Sequence, residues 1–373
     1  MKVAIVAPFF VAFGGSSKVD QVFGELFPSA DLFTLFALEQ AIPESLRERP
    51  RHVSFLNRVP YIHKLYRAMI PTFPAALESL ALEGYDLVLS SDHNICKGVL
   101  KDQRAVHICY CHTPWHQLYT FRAEAIQSVP VPLRPIFSHV ACELRKFDYI
   151  GAQRVDHIVA NSRYIAERIH ACYKRKSTVI YPPVDTSIGF VAETTDDYYL
   201  AVGRLSHTKR LDLLIRTCNQ LERRLVIVGV GRQIENLKKL AGPTIEFLGH
   251  VSNELLHSLY SRCRALVFAA NEDFGIVPVE AQSFGRPVIA FGCGGSLETV
   301  LAGDGNDAPR TGIHFLEQTV ESLRDAILRF EEHEQDFDPI VIQRHARTFD
   351  SQVFRQRMRA LVESAVEDSL ARM

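Results

Sequence analysis

The 373 residues are enough for two domains of ordinary size, and 47% of them are hydrophobic and 23% charged, as in folded globular proteins. The 42 lysine and arginine residues nearly balance the 43 aspartate and glutamate residues, which excludes a global field that attracts nucleic acid. No apolar stretch approaches the length of about 18 residues that a membrane span needs. The eight cysteines lack the paired spacing of a zinc site, so we expect reduced thiols and a cytoplasmic protein.

Short apolar runs alternate with longer amphipathic stretches, which indicates βα units arranged in parallel sheets. In the first half we predict a helix over 61–82, broken near Pro71 and Pro74, and a second helix over 137–154. The apolar runs of this half predict seven strands, at 2–8, 31–36, 52–56, 85–90, 105–111, 157–160 and 178–181.

A polar section with two adjacent prolines, residues 181–197, interrupts the pattern and is predicted to be an interdomain linker. The alternation then resumes, with predicted strands at 198–202, 224–228, 244–248, 265–269, 287–290 and 314–315 and helices at 210–221, 233–240, 253–263 and 278–284. We therefore predict an α/β protein with two Rossmann-like domains, 1–183 and 184–352, that face a central cleft. A last helix, about 353–373, could pack back on the first domain.

The most informative segment runs from Asn271 to Ala281. Pro278 is suited to the first position of a helix, and the amides before it would form an anion site at the helix start. Glu272 precedes this turn and Glu280 lies one turn inside the helix, so their carboxylates could bind hydroxyl groups on either side of a phosphate. The alternative is that both are acids favoured by the helix dipole.

A second segment, 202–210, places cations after a predicted strand. A leaving nucleotide diphosphate needs fixed positive charge, which Arg204 could supply with two hydrogen bonds and Lys209 as a compact charge. A solvated surface pair is the alternative, and Arg210 could face solvent.

Two loops of the first half are further candidates. Gly14 and Gly15 follow the first strand and would let the backbone approach a phosphate, although an ordinary turn explains them as well. His112 follows a later strand and could bind a sugar, while Trp115 could stack on a ligand or pack in the core. No metal site stands out in the sequence.

These segments together resemble retaining GT-B glycosyltransferases of family 4. The pair Glu272 and Glu280, with seven residues between them, looks like the family signature, and the motifs at 203–210, 247–251 and 294–298 fall in the family's order. The motifs at 111–114, 152–156, 160–162 and 180–185 resemble bacterial GDP-mannose-dependent mannosyltransferases of polysaccharide and O-antigen assembly. The likeness covers nearly the whole chain.

The resemblance implies a role for each matching residue. Glu272, Arg204, Lys209 and His112 would be the catalytic groups, with no metal or other cofactor required. Donor binding is implied for Gly15, Arg204, Lys209, Val251, Glu272, Phe274, Gly275, Ile276, Val277 and Glu280, the last of these at the ribose.

The donor implied by the resemblance is GDP-mannose, with UDP-glucose or another UDP-hexose as the alternative. The implied acceptor is a saccharide or a polyprenyl-diphosphate-linked saccharide, with possible peripheral contact at the inner face of the cytoplasmic membrane. Basic and aromatic residues in 57–73 could form that contact, or they could be a solvated helix face: Arg58, Lys64, Tyr66 and Arg67. A nucleotide-sugar epimerase and a nonenzymatic nucleotide-sugar sensor are the competing interpretations.

Overall fold

The computed structural model describes residues 1–303 and 309–371. The chain forms two compact units, divided between Pro183 and Val184, and the segment from Phe354 onward belongs to unit 1. Unit 2 is the continuous stretch Val184–Val353. Each unit contains one parallel sheet with helices packed on it, which confirms the predicted α/β class with two Rossmann-like domains.

Unit 1 contains a seven-stranded parallel sheet with the order β3-β2-β1-β4-β5-β6-β7. Its central strands are buried along their whole length, which explains why they appear in the sequence as continuous apolar runs. The strands are β1 (Val3–Ala7), β2 (Asp31–Thr34), β3 (Arg51–Val53), β4 (Leu87–Asp92), β5 (Val106–Cys111), β6 (His157–Ala160) and β7 (Thr178–Val179).

The helices of unit 1 differ widely in length. The prediction over 61–82 corresponds to two short helices with 3-10 turns, because Pro71 and Pro74 each open a new turn. The helices are α1 (Gly15–Leu26), α2 (Glu44–Arg47), α3 (Ile62–Leu65), α4 (Phe73–Glu78), α5 (Arg122–Gln127), α6 (Arg134–Arg154) and α7 (Arg163–Tyr173).

Unit 2 contains a six-stranded parallel sheet with the order β10-β9-β8-β11-β12-β13. Its strands are β8 (Tyr199–Val202), β9 (Leu225–Val228), β10 (Ile245–Gly249), β11 (Ala265–Phe268), β12 (Val288–Phe291) and β13 (Gly312–Phe315). Its helices are α8 (Leu211–Leu221), α9 (Ile234–Leu240), α10 (Asn253–Arg262), α11 (Ile276–Ser283), α12 (Ser296–Thr299), α13 (Val320–Glu332) and α14 (Pro339–Ala346).

The last helix, α15 (Ser351–Leu370), begins in unit 2 and continues into the core of unit 1. Its Phe354 ring stacks against Phe23 of α1 at 6.2 Å and meets the ring of Tyr110 at 5.7 Å. Met358 and Val362 are buried in the same core. The tail therefore supplies part of the hydrophobic core of the N-terminal unit.

Most of the predicted linker, 181–197, is part of unit 2 rather than a free connection. Val184 pairs with Asp350, and the Gly189 backbone packs directly against Ser283. Asp196 binds Arg262 through two hydrogen bonds of 2.8 and 2.7 Å. The prolines and polar residues that suggested a linker thus belong to an extended segment that is fastened to the surface of its own unit.

In both sheets the strand order reverses beside the first strand of the unit. This point lies between β1 and β4 in unit 1 and between β8 and β11 in unit 2. Ligands of open parallel sheets bind outside the carboxyl ends of strands at such a point. We therefore expect a ligand-binding site in the loops that follow these strands in each unit.

Candidate active site

In unit 2 the loop after β11 carries Glu272. The backbone oxygen of Glu272 accepts a hydrogen bond of 2.8 Å from the amide of Gly295, so the loops after β11 and β12 are joined there. A Cβ at the neighbouring Gly294 would lie 2.4 Å from that same oxygen, which leaves no room for a side chain. The close contact of the two backbones fixes the position of Glu272 at the edge of the sheet.

The helix α11 begins directly after this loop. Gly275 has a φ of +90° and caps the helix, which begins at Ile276 rather than at Pro278 as predicted. Pro278 is the third helical residue, a position whose N–H would have no partner within the helix, so proline costs no hydrogen bond there. The amides at the helix start are thus those of Gly275, Ile276 and Val277, and Pro278 supplies none.

The cations predicted for the site lie in the loop after β8. Lys209 closes a 3-10 turn, and its ammonium group forms an ion pair with the Glu272 carboxylate. The same ammonium lies 5.6 Å from the centre of the Phe268 ring, at the end of β11. Arg204 precedes the turn and its side chain is exposed. The two loops therefore bring a cation and an acid together beside the start of α11.

Arg210, left uncertain by the sequence, has a structural role. Its guanidinium donates to Asp212 and to Gln318, and Gln318 in turn donates to the backbone of Ala269 at the end of β11. This network fastens the loop after β8 to the neighbouring strand.

Glu280 faces a partner that the sequence analysis did not identify. The hydroxyl of Tyr260, on α10, donates a hydrogen bond of 3.1 Å to Oε2 of Glu280. The Tyr260 side chain is fully buried and its ring stacks on Phe284 with the centres 5.7 Å apart. A rigid tyrosine therefore orients this carboxylate. The contact depends on how the two neighbouring helices pack, and the spacing of residues along the sequence does not encode that packing.

Close backbone contacts also fix the loops after β8, β9 and β10. A Cβ at Gly229 would lie 1.9 Å from the backbone oxygen of Gly203, and the amide of Gly229 donates to the oxygen of Gly249 at 2.7 Å. Val251, which the resemblance implies is a donor-binding residue, follows this loop and is half-buried. The three loops thus form one continuous rim at the carboxyl edge of the sheet.

Two hydrophobic candidates lie inside the protein. Phe274 is 3% exposed and its ring packs on Phe349, so its side chain belongs to the core rather than to a ligand site. Trp115 is 5% exposed in a core cluster of unit 1, which favours the packing interpretation over stacking on a ligand.

Unit 1 presents Gly15 and His112 at the carboxyl ends of its strands. Gly15 is the first residue of α1, after β1, where its amide has no partner within the helix. His112 extends the β5 ladder by one residue, because its amide donates to the oxygen of Asp92 at 2.8 Å. Asn161, after β6, donates to the backbone oxygen of His112 at 2.9 Å, which holds this residue between two strands.

The His112 ring is held in its neutral form. Withdrawal from water is the main cause that lowers the pKa of His112 to about 3, and neighbouring His93 adds to this while Asp92 opposes it. The Nε2 atom lies 2.9 Å from the hydroxyl of Ser91 in β4. A neutral imidazole has one donor and one acceptor nitrogen, so His112 is suited to a hydroxyl group rather than to a phosphate.

Among residues 1–303 and 309–371, no group of three or more histidine, cysteine, aspartate or glutamate side chains is arranged to hold a metal ion. Over the same residues no helix is both long enough and apolar enough to cross a membrane.

Comparison with known families assigns both halves of the chain. Residues 33–188 match the family described as Glycosyltransferase Family 4, and residues 183–344 match Glycosyl transferases group 1. The chain is similar to Alpha-1,3/1,6-mannosyltransferase ALG2 of Saccharomyces cerevisiae, at 27% identity over 69% of this chain and 61% of the yeast protein. Its similarity to ALG2 of Homo sapiens is 27% identity over 72% of this chain and 70% of the human protein. The chain thus spans less than two thirds of the yeast relative.

Among solved structures, the fold is similar to that of Anabaena Alr3699/HepE in complex with UDP. The TM-score is 0.70 at 17% identity, and the superposition covers 98% of this chain and 100% of the other. At this identity the likeness shows the fold alone. The chain therefore has the GT-B fold, with a region similar to Glycosyltransferase Family 4 followed by a region similar to Glycosyl transferases group 1.

Proposed function

We propose that the chain transfers mannose from GDP-mannose to a saccharide or lipid-linked saccharide acceptor, with retention of the anomeric configuration. The observation that carries the proposal is the pairing of Lys209 with Glu272 beside the start of α11. One cation, one carboxylate and two helical amides at a single sheet edge are suited to a diphosphate joined to a sugar.

Each group has a distinct task in this proposal. Lys209, the exposed Arg204 and the amides of Ile276 and Val277 stabilise the charge that develops on the leaving diphosphate. Glu272 accepts hydrogen bonds from hydroxyls of the donor sugar. No metal is required, because the cations and the helix dipole supply the positive charge.

We further propose that the acceptor hydroxyl attacks the anomeric carbon on the face that the diphosphate leaves. The leaving phosphate oxygen takes the acceptor proton, the bond from the anomeric carbon to that oxygen breaks, and the new glycosidic bond forms. No protein carboxylate acts as a nucleophile in this route, so none is needed on the opposite face of the sugar.

The mannose part of the proposal is supported by the ALG2 relatives, whose name gives them a mannosyltransferase activity. The competing donor, a UDP-hexose, is favoured by one observation, because the structurally similar HepE was crystallised with UDP and with UDP-glucose. Glu280, oriented by Tyr260, would hold the ribose of either nucleotide.

The first experiment identifies the donor by ligand-induced stabilisation. Thermal unfolding is followed with GDP, UDP, ADP, GDP-mannose and UDP-glucose, because a ligand that binds the native state raises the unfolding temperature. We expect the largest rise with GDP-mannose and a smaller one in Lys209→Ala. Lys239→Ala, an exposed lysine of α9, is the matched control. A larger rise with UDP-glucose would replace the proposed donor.

The second experiment tests transfer and stereochemistry. The protein is incubated with GDP-mannose and a panel of saccharide acceptors, and the product is examined by NMR for the one-bond coupling between the anomeric carbon and its proton. We expect an α-linked mannoside, which is retention from an α-linked donor. Conversion of a nucleotide sugar without any acceptor would indicate the epimerase interpretation, and an inverted product would exclude the proposed route.

Membrane contact by unit 1 is a further part of the proposal. Phe55, Tyr61 and Leu65 have side chains that are 46%, 70% and 49% exposed, in the segment that also holds Arg58 and Lys64. Exposed aromatic and aliphatic groups beside cations are suited to an anionic bilayer surface. We expect co-sedimentation with phosphatidylglycerol vesicles that weakens as salt is added and in the double variant Arg58→Glu/Lys64→Glu. No binding of the wild type to these vesicles would contradict this contact.

A further inference from the structure

Lys209 and Glu272 form an ion pair with each other, although the proposed function gives each of them a different task. The Lys209 ammonium donates a hydrogen bond to Oε1 of Glu272, and both side chains are partly exposed. In the proposed function Lys209 binds the diphosphate of the donor, and Glu272 binds hydroxyl groups of its sugar. The ion pair therefore occupies both groups that a nucleotide sugar has to engage.

The backbone of Glu272 is held independently of its side chain. Its oxygen accepts a hydrogen bond of 2.8 Å from the amide of Gly295, and Glu272 also pairs with Gly294 in an isolated β-bridge. The loop after β12 thus fixes the main chain at this point. A ligand that changes the partner of the carboxylate therefore acts on the side chain rather than on the loop.

The backbone of Lys209 is held by a second, separate set of contacts. Its amide donates to the oxygen of Ser206 at 3.1 Å, within the 3-10 turn. The next residue, Arg210, is joined to Ala269 through Gln318. A diphosphate that binds the Lys209 ammonium must therefore draw it away from a carboxylate whose own loop is fixed.

We propose that Glu272 selects the intact nucleotide sugar over the nucleoside diphosphate that remains after transfer, because it competes with the diphosphate for Lys209. A nucleotide sugar brings hydroxyl groups that donate to the Glu272 carboxylate and replace the hydrogen bond from Lys209. A nucleoside diphosphate lacks the transferred sugar, so it removes Lys209 from the carboxylate without this replacement. The inference rests on the proposed function, in which these two residues bind the diphosphate and the sugar.

The same competition assists the end of the reaction cycle. Once the sugar has been transferred, the hydroxyl groups that engaged Glu272 leave with the acceptor. The carboxylate then regains Lys209 as its partner, and the diphosphate loses one of its charge-assisted contacts. Glu272 thus favours release of the product as well as binding of the donor.

A second ion pair of unit 2 provides the matched control. A guanidinium nitrogen of Arg224 lies 3.0 Å from Oε2 of Glu246, and both side chains are exposed. Arg224 precedes β9 and Glu246 is the second residue of β10, so this pair lies toward the amino edge of the sheet. Glu246→Gln removes the same charge and also breaks an ion pair, but away from the loops that carry Lys209 and Glu272.

The test measures the affinity of the full chain for product and donor. Calorimetric titrations at pH 7.5 give the Kd values of GDP and GDP-mannose for the wild type, Glu272→Gln and Glu246→Gln. We expect Glu272→Gln to bind GDP about 3- to 10-fold more tightly than the wild type, because Lys209 is released from its partner. It should gain no affinity for GDP-mannose, since it loses a carboxylate that binds the sugar. Glu246→Gln should match the wild type with both ligands.

A double variant separates competition for Lys209 from simple repulsion between Glu272 and the diphosphate. In a Lys209→Gln background, Glu272→Gln should change the Kd of GDP by less than about twofold, because no ammonium is left to compete for. Equal tightening in both backgrounds would overturn the inference. GDP binding that is unchanged or weaker in Glu272→Gln alone would also overturn it.

The outcomes are distinguishable from those of the proposed function. UDP and UDP-glucose are titrated in parallel, and tightening of UDP instead of GDP would support the inference while contradicting GDP-mannose as the donor. Tighter binding of either diphosphate by Glu272→Gln, when the wild type transfers no sugar, would support the inference and contradict the proposed function. Sugar transfer by the wild type, with no tightening in Glu272→Gln, would do the reverse.

Discussion

The two units present different chemistry at equivalent edges of their parallel sheets. In unit 2 the loops that follow the strands hold partly exposed charges, Lys209 and Glu272, and glycines in the left-handed region such as Gly229. In unit 1 the equivalent edge holds histidines that are withdrawn from water, His93 after β4 and His112 after β5. The edge of unit 2 presents backbone groups and charged side chains, whereas the edge of unit 1 presents neutral hydrogen-bonding groups of fixed position.

The difference matches the division of tasks in the proposed function. A diphosphate carries charge that needs cations and backbone amides at close range, and glycines allow that approach. A sugar hydroxyl is neutral and needs a donor or acceptor whose direction is fixed in advance. The same strand–helix architecture supports both because the loops, rather than the sheet, carry the chemistry.

The largest expected effect concerns the buried charges of unit 1. Lys97 is 1% exposed, and its ammonium contacts Asp92 at 2.6 Å and Asp148 at 2.5 Å. Burial alone would lower the pKa of Lys97, but the two carboxylates raise it well above its ordinary range. We expect Lys97→Met to reduce the free energy of unfolding by about 3–5 kcal/mol, because two buried carboxylates lose their partner.

Urea unfolding of Lys97→Met measures this loss, and Lys239→Met on α9 of unit 2, with an exposed side chain, is the control. A loss no larger than that of the control would show that the buried charges of unit 1 are not a strong constraint.

The next effect concerns the exposed charges of unit 2. Glu272→Gln and Lys209→Gln should each lower kcat about 100- to 1,000-fold, the range found when one preorganised electrostatic contact is removed from an active site. Both should stay folded, since the pair is partly exposed and contributes little to stability. Initial rates and thermal unfolding are measured together. Glu321→Gln on α13 is the matched control, and near-wild-type turnover in both site variants would contradict the assignment.

A third effect depends on pH. The pKa of Asp20 is raised from 3.8 to about 7 in the folded protein, so the folded state binds the proton more tightly than the unfolded state. Stability from this group is therefore present at low pH and lost as the pH rises from about 4 to 7. Asp20→Asn should escape this loss and gain about 2–3 kcal/mol over wild type at pH 8, against little gain at pH 4.

Denaturant unfolding at several pH values gives the comparison, with Asp102→Asn, which is half-exposed in the same unit, as the control. A constant difference between wild type and Asp20→Asn across pH would show that Asp20 keeps an ordinary pKa.

The smallest effect separates backbone strain from steric contact. Gly229 has a φ of +139° and a Cβ there would meet the Gly203 oxygen, whereas Gly84 of unit 1 has a φ of +78° with open space around it. Gly84→Ala should cost about 1 kcal/mol for the left-handed conformation alone. Gly229→Ala should cost about 2 kcal/mol and also weaken nucleotide binding. Equal costs, measured by thermal unfolding, would mean that the rim of unit 2 is less rigid than its contacts indicate.

Much of the fold could be predicted from the sequence because its signals are local. Strands buried on both faces, such as Val106–Cys111, leave a continuous apolar run, and the position of Lys209 after a strand already indicates the carboxyl edge. The sequence predicts a start of α11 at Pro278, two residues too late, because proline is tolerated throughout the first helical turn.

The rest of the site depends on contacts between residues far apart in the chain. Asp20 is one polar residue on an amphipathic helix, and nothing in its neighbours along the chain indicates that it is 4% exposed. Tyr260 reaches Glu280 only because α10 and α11 pack together. The sequence left Trp115 open between packing and ligand stacking, and only the surrounding core decides between them.

The path of α15 has a consequence for biosynthesis. Its residues Phe354, Met358 and Val362 complete the hydrophobic core around α1 and β1, although they follow unit 2 in the chain. The stretch 184–353 is available to fold as soon as it has emerged from the ribosome, whereas the N-terminal half must wait for the tail. During translation unit 1 can therefore complete its core only after unit 2 has been synthesised.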